Sequence, residues 1–157
     1  GVRVVTRDPC FEFDDFHILK NFDQELARDG LFSYPLSCND STSLIFNNIS
    51  SLAKLDIDLE SQTHTLKKLL KVKDTEMICS MTLGTGPLSS SILVSGVIDN
   101  SIVFLDTKSE SVLFRVPLDS SSSSKTPVSA INSGKTLWVL FEDWSLEKYD
   151  VRTSYTD

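Results

Sequence analysis

The chain has 157 residues, 40% hydrophobic and 24% charged, with a formal charge of −7 and a pI near 4.8, the make-up of an ordinary globular domain. That balance gives nucleic acid no general electrostatic reason to bind, since phosphate contacts need clustered Lys and Arg. No apolar run approaches the roughly 20 residues that span a bilayer, and the N-terminus lacks a signal-peptide stretch, so the chain reads as intracellular, in nucleus or cytoplasm, with no membrane partner.

In chain order, residues 2–5 read as a strand ended by Asp8-Pro9. From Asp14, the residues Phe16, Leu19, Phe22 and Leu26 fall at helical spacing, with Asp14 or Asp15 as cap and Gly30 as stop, which predicts a short amphipathic helix. Residues 1–42 thus form an N-terminal segment of their own. Its aromatic side chains either pack against the strands beyond residue 42 or, with Phe16 and Phe22 foremost, dock a partner protein.

Beyond residue 42 the predicted elements are strands. Leu44-Ile45-Phe46, Ile92-Leu93-Val94 and Leu137-Trp138-Val139-Leu140 are short apolar runs rich in strand-forming side chains. Each is followed by polar turn residues, Asn47-Asn48, Asp99-Asn100 and Glu142-Asp143, suited to a hairpin reversal. Then comes a recurring hexad: Ser51 to Asp56, Ser101 to Asp106 and Ser145 to Asp150, each Ser, aliphatic, two variable positions, bulky apolar, Asp. Residues 65–72 and 111–116 supply a further strand after the first two hexads, and residues 78–81 and 128–131 an innermost strand of small and apolar alternation. The hexads lie 50 and 44 residues apart, a period that fits one four-stranded unit per repeat.

On these residues the chain resembles the WD40-repeat family of β-propellers. Residues 92–106 look like the second strand, Asp-containing turn and third strand of a blade that ends in Trp-Asp, with Leu55, Leu105 and Tyr149 standing where that Trp would be; no Gly-His pair precedes a repeat. The resemblance implies an all-β chain: a partial WD40-like propeller of about three four-stranded blades over residues 43–157, the last incomplete. Because propellers close with roughly 4 to 8 blades, it further implies a fragment or short isoform, or a partner chain that completes the ring.

Chemistry is sparse. Cys10, Cys38 and Cys79 form no CxxC or Cys/His cluster, and His17 and His64 have no legible partner, so neither a metal, a cofactor nor a catalytic residue is assigned. Gly84-Thr85-Gly86-Pro87 lacks the Lys of a phosphate loop and reads as a turn. Ser51, Asp56, Ser101, Asp106, Ser145 and Asp150 are read as structural repeat positions whose aspartates bond turn backbone or cross-strand groups. Trp138 and Trp144 read as packing first and as interaction residues second. Ser89 to Ser91 and Ser120 to Ser124 read as mobile loops.

The function implied is a non-catalytic protein-interaction scaffold within a multiprotein complex. The alternatives are the non-catalytic propeller subunit of a tRNA guanine-N7 methyltransferase complex, whose blades also depart from the Trp-Asp norm, and an enzymatic propeller with acids or histidines converging near a central channel.

Overall fold

The computed structural model describes residues 3–5, 16–18, 33–37, 43–58, 61, 63–119 and 124–151. Every strand pair is antiparallel. A two-stranded ribbon joins β1 (Arg3–Val5) to β2 (Phe16–Ile18), and three larger sheets follow.

The first sheet is β3 (Ser33–Ser37), β4 (Ser43–Asn47), β5 (Ser51–Asp58) and β6 (Thr63–Lys71). The second is β7 (Met77–Leu83), β8 (Ser91–Val97), β9 (Ser101–Asp106) and β10 (Ser111–Pro117). The third is β11 (Pro127–Ser133), β12 (Thr136–Phe141) and β13 (Leu146–Asp150). In all three sheets sequence neighbours are sheet neighbours, so each forms from consecutive hairpins without a crossover. Among the described residues the chain is all-β, a partial β-propeller whose sheets do not close into a ring.

Two sequence expectations change at the N-terminus. Phe16–Ile18 is a strand paired with Arg3–Val5, where a helix was expected; the rest of that proposed helix, Phe22 included, lies outside the described residues. The first sheet starts at Ser33, inside the segment set apart as 1–42, because β3 pairs with β4. Pro35 occupies β3, an edge strand of its sheet, the place where a missing amide N–H does least harm.

Packing follows strand alternation. In the second sheet β8 and β9 are buried on both faces, which is why they read as continuous apolar runs. Ile92, Val94, Val103 and Leu105 meet Ile45 and Leu52 of the first sheet. The alternate residues Leu93, Ile102 and Phe104 meet Leu137, Val139 and Phe141 of the third. Phe104 also stacks on Phe114, ring centroids 4.5 Å apart.

The hairpin ends use specific turn chemistry. Asp99 and Asn100 both have positive φ, 49° and 47°, and the Ser101 amide bonds the Ile98 carbonyl at 3.0 Å, a type I′ reversal matched to strand twist. A bulge between Ile78 and Ser80 lies opposite Gly96, whose φ is 153° and where a Cβ would sit 2.1 Å from the Met77 carbonyl oxygen. Only glycine fits that contact.

Candidate interaction surfaces

The repeat serines sit at the same step of each hairpin and close it by different means. Ser51 donates from amide and hydroxyl to the Asn48 side chain at 2.6 and 3.0 Å. Ser101 donates its hydroxyl to the Ile98 carbonyl at 2.9 Å. Ser145 donates amide and hydroxyl to Asp143 at 3.0 and 2.5 Å, and these bonds, with Lys125 alongside, pull the Asp143 carboxyl down to about 2. The repeat position thus asks for a short donor that fits a turn.

The three repeat aspartates lie on three separate sheets. Asp56 accepts the Ser43 hydroxyl and stands 3.1 Å from the Lys54 ammonium. Asp106 accepts the Ser109 amide at 2.8 Å, and hydrogen bonds from Ser109 hold its carboxyl below the usual range. Asp150 pairs with Thr136 in the β12–β13 ladder.

The junctions between sheets carry polar ties that sequence reading missed. Glu110, at φ 54° in the β9–β10 turn, bonds Lys67 and stands 3.1 Å from Lys54, both on the first sheet. Those bonds, Lys67 first and Lys54 second, lower the Glu110 carboxyl. Burial opposes the charge of Lys54, but its bonds to Glu110 and Asp56 outweigh this and raise its ammonium. Between the second and third sheets, the buried Asn132 accepts the Thr85 amide at 2.9 Å and returns a bond to the Thr85 carbonyl at 3.2 Å.

Thr85 belongs to the Gly84–Pro87 stretch, which is a turn leading into a single 3-10 turn, Gly86–Leu88. The neighbouring serine run is more ordered than a mobile loop: Ser91 opens β8 with 1% exposure, and the Ser90 carbonyl accepts the Thr107 amide at 2.9 Å. In the second run, residues 120–123 lie outside the described residues.

The two tryptophans differ from each other and from the packing expectation. Trp138 is half-buried, with the Lys148 ammonium 6.0 Å from its ring centroid, a loose cation–π arrangement. Trp144 is 84% exposed and has φ 66°. Its amide bonds the Phe141 carbonyl at 3.0 Å, so it occupies the left-handed position of a hairpin turn that glycine normally fills. Neither packing nor backbone preference accounts for a tryptophan there.

Around these residues the third sheet presents an apolar face that the other described sheets leave open. In register, Ile131, Trp138 and Lys148 form one row across β11, β12 and β13, and Ser129, Leu140 and Leu146 the next. Ile131 is 54% exposed and Leu146 60%. Cys79, by contrast, is half-buried; burial first and the charge of Glu142 second push its thiol up, away from nucleophilic use. Among the described residues no three His, Cys, Asp or Glu side chains gather to hold a metal ion, and no helix is long and apolar enough to cross a membrane.

No protein-family model matches the sequence, and no curated protein matches it. The fold does match solved structures, among them a chain in the crystal structure of a mitotic checkpoint complex, with a TM-score of 0.52 at 13% identity. That likeness covers 95% of this chain and 46% of the other, so this chain spans about half the length of its structural neighbour. At such identity the likeness is one of fold, and it fits the WD40-like arrangement of antiparallel sheets.

Proposed function

We propose that this chain is a non-catalytic, intracellular protein-interaction scaffold, a stretch of a longer WD40-like propeller that works as a subunit of a multiprotein complex. One observation carries the reading: the outward face of the third sheet is built like the inward faces of the second. β12 places Leu137, Val139 and Phe141 on its buried side and Trp138 and Leu140 on the other. A strand meant to face water on one side alternates apolar with polar, whereas this one is apolar on both.

Burying a large aliphatic side chain fully is worth about 1.5–3 kcal/mol, so covering Ile131 and Leu146 favours association. The occupant that fits is another antiparallel sheet, laid on as the first and second sheets already lie on their neighbours. The fold neighbour, a protein in a multiprotein complex, supports protein partners in general.

Lys148, in the middle of that face, reports on it. Lysine-directed cross-linking in cells, read by mass spectrometry, should join Lys148 to a protein segment. The double substitution Ile131→Glu with Leu146→Glu, at two exposed positions, should cut that link about tenfold while leaving links from Lys108 unchanged. A Lys148 that stays unlinked, or a purified chain that turns over a small molecule, would overturn the scaffold reading.

A further inference from the structure

The antiparallel hairpins send to one end of the sheets the connections 48–50, 72–76, 98–100 and 142–145, together with residues 118–119 and 124–126 between β10 and β11. Backbone bonds tie them together there. The Ile78 amide bonds the Ile49 carbonyl at 2.7 Å, Val72 bonds Ser50 at 3.0 Å, Leu118 bonds Asn100 at 2.9 Å, and Glu142 bonds Thr126 at 2.9 Å.

This end exposes large apolar side chains. Met77 and Val97 are cross-strand partners, both exposed, and Ile49 is exposed beside them. Trp144 stands at the same end of the third sheet; its neighbour Glu142 lies close enough to the second sheet to act on Cys79. The same connections carry six carboxylates, Asp74, Glu76, Asp99, Asp119, Glu142 and Asp143, against two lysines, Lys73 and Lys125. The lysines pair with two of these carboxylates, Lys73 with Glu76 and Lys125 with Asp143, which leaves Asp74, Asp99, Asp119 and Glu142 as the excess. Among the described residues the opposite end also carries carboxylates, Asp58, Asp106, Glu110 and Asp150, beside Lys108 and Lys135, so what sets this end apart is its exposed Trp144.

We propose that this end binds a basic segment of a partner protein in which Lys or Arg alternate with large apolar side chains. The apolar residues contact Trp144, Met77, Val97 and Ile49, and the cations meet the surrounding carboxylates. A strained, exposed tryptophan is the independent sign: residues in sparsely populated conformations persist where they serve a site, and tryptophan is enriched among residues that dominate binding. The proposal deepens the scaffold reading but uses a different surface, so loss of the Lys148 cross-link and loss of this binding are separate results.

The test uses the 157-residue chain and three soluble peptides: repeated Lys-Leu-Lys-Ser, the same with Glu for Lys, and the same with Ser for Leu. The two tryptophans give two indole N–H signals by NMR. The Lys-Leu peptide should bind about tenfold tighter than either control and weaken several-fold between about 0.05 and about 0.5 M salt. Trp144 should shift while Trp138 stays still. Trp144→Asn, which suits a left-handed backbone and so keeps the turn, should lower affinity about fivefold or more; Leu83→Ser, at the opposite end, should not. Equal binding of all three peptides, a response confined to Trp138, or full affinity in Trp144→Asn would overturn the proposal.

Discussion

Two turns hold a large side chain at positive φ, and they differ in what surrounds it. Glu110, at the β9–β10 reversal, reaches the first sheet and meets Lys54 and Lys67. Trp144, at the β12–β13 reversal, stands in solvent. A left-handed conformation costs a non-glycine residue about 1–2 kcal/mol. At Glu110 the cost is offset inside the molecule by ion pairs that join two sheets. At Trp144 nothing within the described residues offsets it, and the polar tie between the second and third sheets comes from Asn132 instead. Identical strain therefore means opposite things: one turn is a structural tie, the other a surface kept for a partner.

The largest losses of stability are expected at the ties between sheets. Asn132→Ala should cost about 2 kcal/mol, because it leaves the Thr85 amide and carbonyl without their partner; the urea midpoint measures it. Glu110→Gln should cost about 1 kcal/mol, the scale of a partly exposed ion-pair network, with the loss shrinking in high salt. Trp144→Asn should move the other way and raise stability by about 0.5 kcal/mol as strain is relieved. A destabilised Trp144→Asn would mean that the indole packs on something after all, and the contrast would fail.

Acid sharpens the contrast further at smaller scale. Glu110 has a lowered folded value, so its stabilisation is complete above the ordinary glutamate value of about 4.3 and is lost as pH falls through the folded one. Asp143, held to about 2, keeps its contribution above the ordinary aspartate value of about 3.9 and loses it on approach to about 2. Urea midpoints should therefore fall on acidification from about pH 5, and Glu110→Gln should flatten the upper part of that fall.

Much of the fold was legible because it rests on short-range pattern. The apolar runs at Ile92, Ile102 and Leu137, each beside a turn of Asx, Glu or Ser, mark strands by composition and spacing, and the Ser-to-Asp hexad marks equivalent hairpins. β3 falls inside the segment set apart as 1–42, where Pro35 and its flanking serines give no strand pattern although an edge strand tolerates them. The candidate surfaces were harder. Ile49, Met77 and Val97 carry the side chains of core residues, and only the way the sheets end shows that they are exposed. Trp144 had one readable signal, its place after Glu142-Asp143 where a hairpin turn commonly takes glycine, but its φ and exposure belong to three-dimensional structure. The Glu110 tie spans 43 and 56 residues of sequence to Lys67 and Lys54, a separation that no local pattern encodes.

The hairpin-by-hairpin order of the sheets also sets how the molecule breathes. Each sheet is contiguous in sequence and touches its neighbours face to face, so its stability approximates an internal term plus one term per neighbour, as in a linear array. The second sheet is flanked on both sides by packed cores; the third, with three strands and one open face, has a single such neighbour. Amide protons of β8 and β9 therefore exchange only with the largest openings, while those of β13 exchange through smaller, more frequent ones. The part of the molecule most ready to meet another protein is also the part that opens first.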